Sequence, residues 1–587
     1  MLGSVRGVVL LLLGTVLCLG SLPAEEPWLL SLDDPAYRQA EELFLVNRVL
    51  PPFEDIPVTA EELRLALQNL LDLPDPAETP RIRTLLDELR QPLAPVSPIV
   101  KSGLRAYAGS DEELIKLYNP NGDHDIYDYL PFYALHDMPA LLTLGFIASA
   151  GGVSLHFQPE LRERVSSFLY EENFSSIPNG LLSGEVGNID ANQPYRGSIS
   201  LFKPPIELRV GRDKLQLGPG RISSLGISRS MPYFDSLKFR FFAGWFSYSW
   251  YLIRLNPILS DTERTELEAI NDGSVPNPEV NADDQVTYTE SAKHLAVHKF
   301  LLTPLPWLSV SIAELNMIGG AAPQLTDVSP LTLFHSNFAE GTTNQTMSIT
   351  AQATPLKGLL LYSEFFLYEK VMSTERQDGY KPTARAVQAG LTALSTPYLD
   401  LGPGRLRLDA ELAYVDPWCY ARWYDLKKYT SRFVYVEPGH GRIWVDYPLG
   451  FYLGPDAVQY WARLAYGEPG RYEAALTWKT WGKGGVDLYG WGDESDYPNP
   501  LTGTESDGLT ITDAPSAGPD GLPVFWSHEL TMSLDFVPRP RRKGLRFLGN
   551  LTVSAWGSLK WMRNWYHAPG DDRFAWEIGT QCVWSLY

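Results

Sequence analysis

Side chains able to do chemistry are plentiful in this sequence, but they are not spaced for catalysis. His294 and His298 are four residues apart; in an extended strand they would share one face about 13 Å apart, too far to hold one metal ion. His440 stands between Gly439 and Gly441 in a segment that reads as loop, where an isolated histidine is ordinary polar surface. Asp493, Glu494 and Asp496 could collect a hard cation, yet they lack a fixed loop spacing and read as solvated loop. There is no Gly-x-Ser-x-Gly elbow, no His-Glu-x-x-His, and no Walker or dinucleotide fingerprint. Carboxylates recur throughout, so the paired geometry of a glycosidase cannot be picked out. The expectation is no catalytic residue, no metal and no cofactor.

Sugar binding is the better-supplied chemistry. It needs flat apolar surfaces for pyranose faces and fixed carboxylate, amide or guanidinium partners for hydroxyls. Trp418, Tyr420, Trp423 and Tyr424 occur with Arg422 and Asp425 in the long segment 416–447, which makes this segment the candidate external glycan-contacting loop. A membrane-interface girdle, or a loop folded over a barrel lumen, fits the same residues.

The chain that must position these groups has 587 residues, with 49 Lys+Arg against 70 Asp+Glu and a net charge of −21. That balance excludes ordinary nucleic-acid binding. Aromatics at 12% are too many for a disordered acidic protein, and charged residues at 20% are few for a soluble one. The length would suit several soluble domains, yet no linker-like boundary follows the first hundred residues, which points to one large repetitive architecture. Residues 1–24 carry Arg6, an apolar run over 8–19 and Leu22-Pro23-Ala24, the signature of a secretory signal peptide cleaved after Ala24. A lipoprotein reading at Cys18 is disfavoured by Leu17, where a small residue is wanted. Cys419 and Cys582 then remain, enough for one bridge at most. No later stretch offers about 18 to 20 continuous apolar residues, so any membrane crossing must use strands.

Residues 30–95 read as three short amphipathic helices. One runs over about 34–49 and opens with Pro35. A second follows a Thr59/Glu62 capping box, with Leu63, Leu67, Leu70 and Leu71 on one face, and a third begins at Thr79-Pro80, with Ile82, Leu85, Leu86 and Leu89. A bundle of this size is marginal alone and should dock on something. From about residue 102 the period becomes two. In 406–414 apolar even positions alternate with Arg407, Asp409 and Glu411; 528–536 sets Leu530, Met532, Leu534 and Phe536 against Glu529, Thr531, Ser533 and Asp535; 551–561 repeats the pattern. Runs 458–466 and 472–478 flank Gly467-Glu468-Pro469-Gly470 as adjacent antiparallel strands. Such strands after a signal peptide fit a transmembrane antiparallel β-barrel, apolar outside and polar inside, better than a soluble sandwich. Trp and Tyr at strand ends, as in 245–251 and 561–566, suit interfacial girdles. The last strand, 576–587, ends on an aromatic residue out of phase with Ile578, Cys582, Trp584 and Leu586. Segments 260–291 and 490–523 read as long external loops. The predicted organisation is a signal peptide at 1–24, a periplasmic or lumenal helical segment at 25–100, and an all-β barrel at 101–587.

The segment from Gly211 and Arg212 to Gly218-Pro219-Gly220, then 225–228 and 231–235, resembles the Wzi-type capsule assembly proteins of bacterial outer membranes. Stretches 298–316 with Glu314, 333–368 with Asn344, and 449–457 with Gly450, Gly454 and Asp456 follow in the same order. The resemblance covers residues 30–587. It implies an outer-membrane barrel of about eighteen strands, with helices on the periplasmic side or filling the lumen, that binds surface polysaccharide without catalysis and contacts membrane lipid and lipopolysaccharide. From the residues alone, Gly218-Pro219-Gly220 is a sharp turn and Asp456 a turn cap. A diffusion channel is the alternative function, and the helical segment, absent from simple porins, is the discriminating feature.

Overall fold

The computed structural model describes residues 29–586 apart from 31, 33, 52–53, 90–95, 118–128, 171–172, 180–185, 192–195, 275–291, 332–342, 371–382, 397, 400, 402–403, 423, 438, 440, 469, 489–513, 519–520 and 539–550. The signal peptide, Trp423, His440, the 493–496 acidic cluster and Tyr587 therefore lie outside the described residues.

Eighteen antiparallel strands close into a barrel. In chain order they are β1 (Val96–Gly109), β2 (Leu142–Ala150), β3 (Val153–Gln158), β4 (Arg196–Lys203), β5 (Ile206–Asp213), β6 (Phe234–Ala243), β7 (Phe246–Arg254), β8 (Lys293–Leu305) and β9 (Leu308–Gly319). The ring continues with β10 (Thr343–Leu356), β11 (Leu359–Glu369), β12 (Ala384–Leu394), β13 (Arg405–Val415), β14 (Ala457–Glu468), β15 (Tyr472–Lys483), β16 (Phe525–Phe536), β17 (Leu551–Arg563) and β18 (Arg573–Leu586). Closure is made by β18 on β1, from Val100 opposite Leu586 to Gly109 opposite Glu577.

Alternation sets which side chains meet lipid. In β13, Leu408 and Leu412 are 39% and 42% exposed on the outer face, whereas Arg407, Asp409 and Glu411 are buried in the lumen. In β16, Met532, Leu534 and Phe536 face outward in the same way. Connections sort by end. Residues 151–152, 204–205, 244–245, 306–307 and 357–358 are tight turns at one end, and segments such as 110–141, 214–233 and 416–456 stand at the other. Short turns face the periplasm in exported barrels, so these are taken as the inner and outer ends. Exposed aromatics ring both: Trp245, Tyr398 and Phe536 at the inner end, and Trp561, Phe574 and Trp576 towards the outer end. Trp565, by contrast, is packed inside against Phe525, with ring centroids 5.4 Å apart. Cys419 is buried and Cys582 half-buried, and both are free.

The N-terminal segment forms α1 (Pro35–Val46), α2 (Ala60–Leu71) and α3 (Thr79–Leu89). Asp34 caps α1 by accepting from Ala36 N, and Thr59 caps α2 by accepting from Glu62 N. Their apolar faces, including Leu43, Phe44, Leu63, Leu67, Ile82 and Leu85, make one small core. Leu45, Val46 and Leu50 then pack on Leu360, Tyr362 and Leu394 of the barrel wall. Backbone bonds from Leu50 N to the Pro306 oxygen and from Gly358 N to the Leu45 oxygen tie the bundle to the inner turns. It is a plug seated in the inner mouth. Within 260–291, Asp261–Asn271 is a helix opened by a capping box of Ser260 and Glu263, so part of that expected loop is ordered by a local Ser-x-x-Glu signal.

Candidate functional site

The lumen is occupied from both ends. At the inner end an acidic surface of the plug meets basic residues of the wall and of the segment 214–233. Glu41 bonds Arg221 at 2.7 Å and Arg407 at 2.8 Å. Glu42 bonds Arg405 at 3.3 Å, Glu54 bonds Lys299 at 3.0 Å, Asp55 also pairs with Lys299, and Glu62 pairs with Arg240. The Glu62 side chain, expected to fold back on its own helix in a capping box, is directed to β6. Burial alone would lift the Glu41 carboxyl, but Arg221 and Arg407 outweigh it and hold the group below its usual range. Asp55 is held low in the same way by Lys299 and Lys238, whereas at Glu42 burial wins and pushes the carboxyl up.

Above the plug, residues 214–233 leave the wall after β5 and cross the bore as a strap. Gln216 and Leu217 pair antiparallel with Ile56 and Asp55, joining strap to plug. Two wall carboxylates grip the strap backbone: Glu364 accepts from Leu225 N at 2.9 Å and Gly226 N at 3.0 Å, and Glu411 accepts from Arg221 N at 2.6 Å. Gln388 donates to the Ser223 oxygen at 2.7 Å. At Gly220 an added Cβ would stand 2.0 Å from the Ser223 oxygen, so the Gly218-Pro219-Gly220 turn is closed by a close backbone approach.

Residues 416–456 then fold inward as a lid, with a hairpin of Thr430–Glu437 and Gly441–Pro448 at its centre. The Tyr420 hydroxyl donates to the Leu225 oxygen at 2.8 Å, and Ser228 N donates to the Leu449 oxygen at 2.7 Å. A Cβ at Gly450 would meet the Leu225 oxygen at 2.0 Å, so the lid lies flat on the strap only with glycine there. Trp418 and Tyr420, 2% and 0% exposed, and Tyr424 are core of the lid. Arg422 binds Glu369 at 2.9 Å and the Asn344 oxygen at 2.8 Å; Asp425 is half-buried. Of the candidate glycan-contacting set, the described members Trp418, Tyr420, Arg422 and Tyr424 lie packed inside, as in the reading of a loop folded over the lumen, and rings that would stack on sugar stack here on one another, as Tyr420 and Tyr429 do at 5.9 Å.

The remaining motif positions are also framework. Arg212 forms a two-point ion pair with Asp235 at 2.7 and 2.8 Å. Asn344 donates to the Tyr368 hydroxyl at 3.0 Å. Glu314 lies 4.0 Å from His298. Gly211, Gly218 and Gly454 all have positive φ. The Asp456 carboxylate accepts from Val486 N at 3.0 Å and Ser516 N at 2.8 Å, pinning two outer segments together.

What stays open is a cavity of about 650 Å³ between the strap and the wall formed by β15–β18 and β1. Nine basic side chains line it against five acidic ones, which inverts the balance of the whole chain. Arg196–Asp213 at 2.7 Å, Lys479–Glu529 at 3.3 Å and Lys560–Glu577 at 3.3 Å are internal pairs. Among the described residues no carboxylate lies within ion-pair distance of Arg105, although Glu577 and Asp137 act on it from further away. Arg105 donates to Gln581 at 2.8 Å and to the Asp137 backbone oxygen at 3.0 Å, with its guanidinium 5.5 Å from the Trp556 ring centre. At the outer rim His136 sits 3.0 and 2.8 Å from the Tyr435 and Tyr447 hydroxyls, and burial, then Arg162 and Lys214, keep it well below 6.5 and hence neutral at pH 7. Aromatic faces beside fixed cations and carboxylates are the groups sugar recognition needs. Sequence reasoning missed this wall, since its members come from strands far apart in the chain and only their inward phase marks them. Among the described residues no three His, Cys, Asp or Glu side chains are grouped to hold a metal ion.

Neither a family model nor a curated protein matches the sequence. Among solved structures the chain is similar to Wzi of Escherichia coli, an outer membrane protein involved in group 1 capsule assembly and described as a carbohydrate-binding β-barrel, with 13% identity, 95% of this chain and 99% of that one covered, and a TM-score of 0.52. It also aligns with Pseudomonas aeruginosa OccK10 (8% identity, 84% and 99% covered, TM-score 0.37) and with OccK2 in complex with glucuronate (10%, 84% and 98%, TM-score 0.38). The fold shared with Wzi is a barrel of outer-membrane type.

Proposed function

We infer that this protein is exported by a cleaved leader to the bacterial outer membrane, where it holds a surface polysaccharide non-covalently and without catalysis. The observation that carries the reading is the lumen. Plug, strap and lid are hydrogen-bonded to one another and to the wall, an arrangement built to stay fixed, and they leave a polar, aromatic and net basic cavity beside them. A polymer bearing carboxylate or phosphate groups fits that lining best. Charged hydrogen bonds to such groups are strong, and repeats of one chain engaging several copies would multiply modest single-site affinity. The lid aromatics serve by holding the outer mouth in shape.

The test compares surface-polysaccharide retention by cells lacking the protein with cells carrying the parent, Arg105→Ala/Trp556→Ala, or Trp418→Ala/Tyr424→Ala. The cavity pair should release polymer with the barrel intact. If it retains polymer as the parent does, the cavity is not the site, and if purified protein shortens the polymer the binding-only reading falls. A diffusion channel is the second reading, favoured by the reach of the cavity from Ile56 and Pro57 of the plug to Leu130 and Tyr133 of the outer segment. Large steady conductance in planar bilayers, with no polymer bound, would establish it.

A further inference from the structure

The outer wall carries a groove apart from the lumen. At the outer ends of β5 to β8 the strand registers place Arg212 opposite Asp235, Asp235 opposite Arg254 and Arg254 opposite His294, one residue per strand in a single row. All four share the outward phase. Two residues further down each strand the row becomes Val210, Leu237, Leu252 and Ala296, and Val210 and Leu237 are 51% and 38% exposed. The change from charged to apolar thus falls within one strand repeat of about 6.6 Å, as at the boundary between headgroups and hydrocarbon. A groove of about 430 Å³ straddles it, opened at one side by the glycines 197 and 211.

Its charge is not self-cancelling. Both Asp235 oxygens are taken by Arg212. Arg254 is exposed, and among the described residues no carboxylate comes within ion-pair distance of it. Beside it, Nδ1 of His294 is buried and, among the described residues, has no hydrogen-bond partner. A chain of net charge −21 therefore offers, on its lipid-facing wall, a guanidinium and an imidazole above an apolar floor. We propose that this groove binds the phosphate of an outer-leaflet glycolipid, lipopolysaccharide through its lipid A, with the phosphate on Arg254 and His294 and an acyl chain along Val210, Leu237 and Leu252. Arginine on phosphate gives a strong charge-assisted contact, and only an amphiphile satisfies both halves of the groove.

The experiment uses the full barrel in nanodiscs, with bound lipid counted by native mass spectrometry after addition of lipid A, dephosphorylated lipid A or inorganic phosphate. The parent should retain phosphorylated lipid A. Arg254→Ala should lower retention about tenfold, and the double variant with His294→Ala further still. Lys203→Ala, a basic site at the inner end, should change nothing. Heat-modifiable migration verifies folding, and Arg254→Gln replaces the alanine variant if that one fails to assemble. Equal retention by Arg254→Ala or Arg254→Gln and the parent, equal retention of dephosphorylated lipid A, or inorganic phosphate binding as tightly as the lipid would each overturn the proposal.

Discussion

Removing two plug carboxylates, Glu41→Gln with Glu62→Gln, should undock the helical plug without opening the barrel. Glu41 meets Arg221 and Arg407, while Glu62 meets Arg240, so the two changes act on wall residues of different strands, β13 and β6. Breaking one side of a buried ion pair costs about 3 to 5 kcal/mol. The low end applies, because Arg407 keeps Asp409 at 2.8 Å and Arg240 keeps Glu207 at 3.9 Å. Two losses of about 3 kcal/mol at separate sites add to about 6 kcal/mol, a rise of about 10⁴ in the undocked population. A three-helix bundle this small is marginal once released, so undocking should be visible as hydrogen exchange. Peptides covering α1 to α3 should exchange up to about 10⁴-fold faster, with β6 and β13 unchanged. Unaltered exchange in the helices, or equal acceleration in the strands, would refute the reasoning. The swap Glu62→Arg with Arg240→Glu should restore most of the protection lost in Glu62→Gln, an outcome that loss of helix propensity could not produce.

Acid should loosen the same joint. Glu41 and Asp55 are held below their ordinary 4.5 and 3.8, so their contribution to docking is present above those values and is lost as pH falls through the depressed ones. Glu42, raised by burial, works in the opposite sense. Two against one predicts faster helix exchange at acidic pH, and plug protection that rises on acidification would contradict it. Leu412→Arg should impair assembly, by roughly 2 to 4 kcal/mol near the midplane, whereas Asp409→Asn, a lumen change that leaves the hydrocarbon contacts intact, should assemble like the parent; heat-modifiable yield separates the two. Gly450→Ala drives a methyl towards the Leu225 oxygen, so the lid should lift and the thiol of Cys419, inert while burial raises its pKa, should become alkylatable. Equal Cys419 labelling in parent and variant would show that the lid does not depend on this approach.

The barrel was legible because membrane and lumen impose opposite demands on alternate residues. Leu408 and Leu412 against Arg407, Asp409 and Glu411 is a local pattern, and local patterns survive reading one residue at a time. The helices were legible for the same reason, through Thr59 and the 3.6-residue leucine spacing. What local patterns do not carry is which residues meet across the chain. Glu62 looked like half of a capping box, but its partner Arg240 is 178 residues away. Glu364 shows no local sign that it grips Leu225 and Gly226. The tryptophan and tyrosine cluster around 418–424 has the composition of a sugar platform and of a core alike; only the inward fold of 416–456 distinguishes them. Ser260-x-x-Glu263 was there to be read, yet the acidity around it made the segment look like solvated loop.

Charge segregation explains why these internal parts come as a set. Take away the plug, and Lys299 loses Glu54 and Asp55, Arg405 loses Glu42 and Glu78, and Arg221 loses Glu41. The wall would then face a water-filled bore with Lys238, Arg240, Lys299, Arg405 and Arg407 repelling one another across it, and among the described residues Glu207 and Asp409 alone would remain as ion-pair partners beside them. The plug is therefore an electrostatic component of the barrel and not an insert in an otherwise complete pore. The strap cannot be treated separately either: its residues 216 and 217 are hydrogen-bonded to residues 55 and 56 of the plug, and its Arg221 shares Glu41 with the wall. Withdrawing the strap from the bore would have to break that two-stranded pairing, the Glu364 and Glu411 grips and the lid contacts together, so plug, strap and lid are held as one assembly.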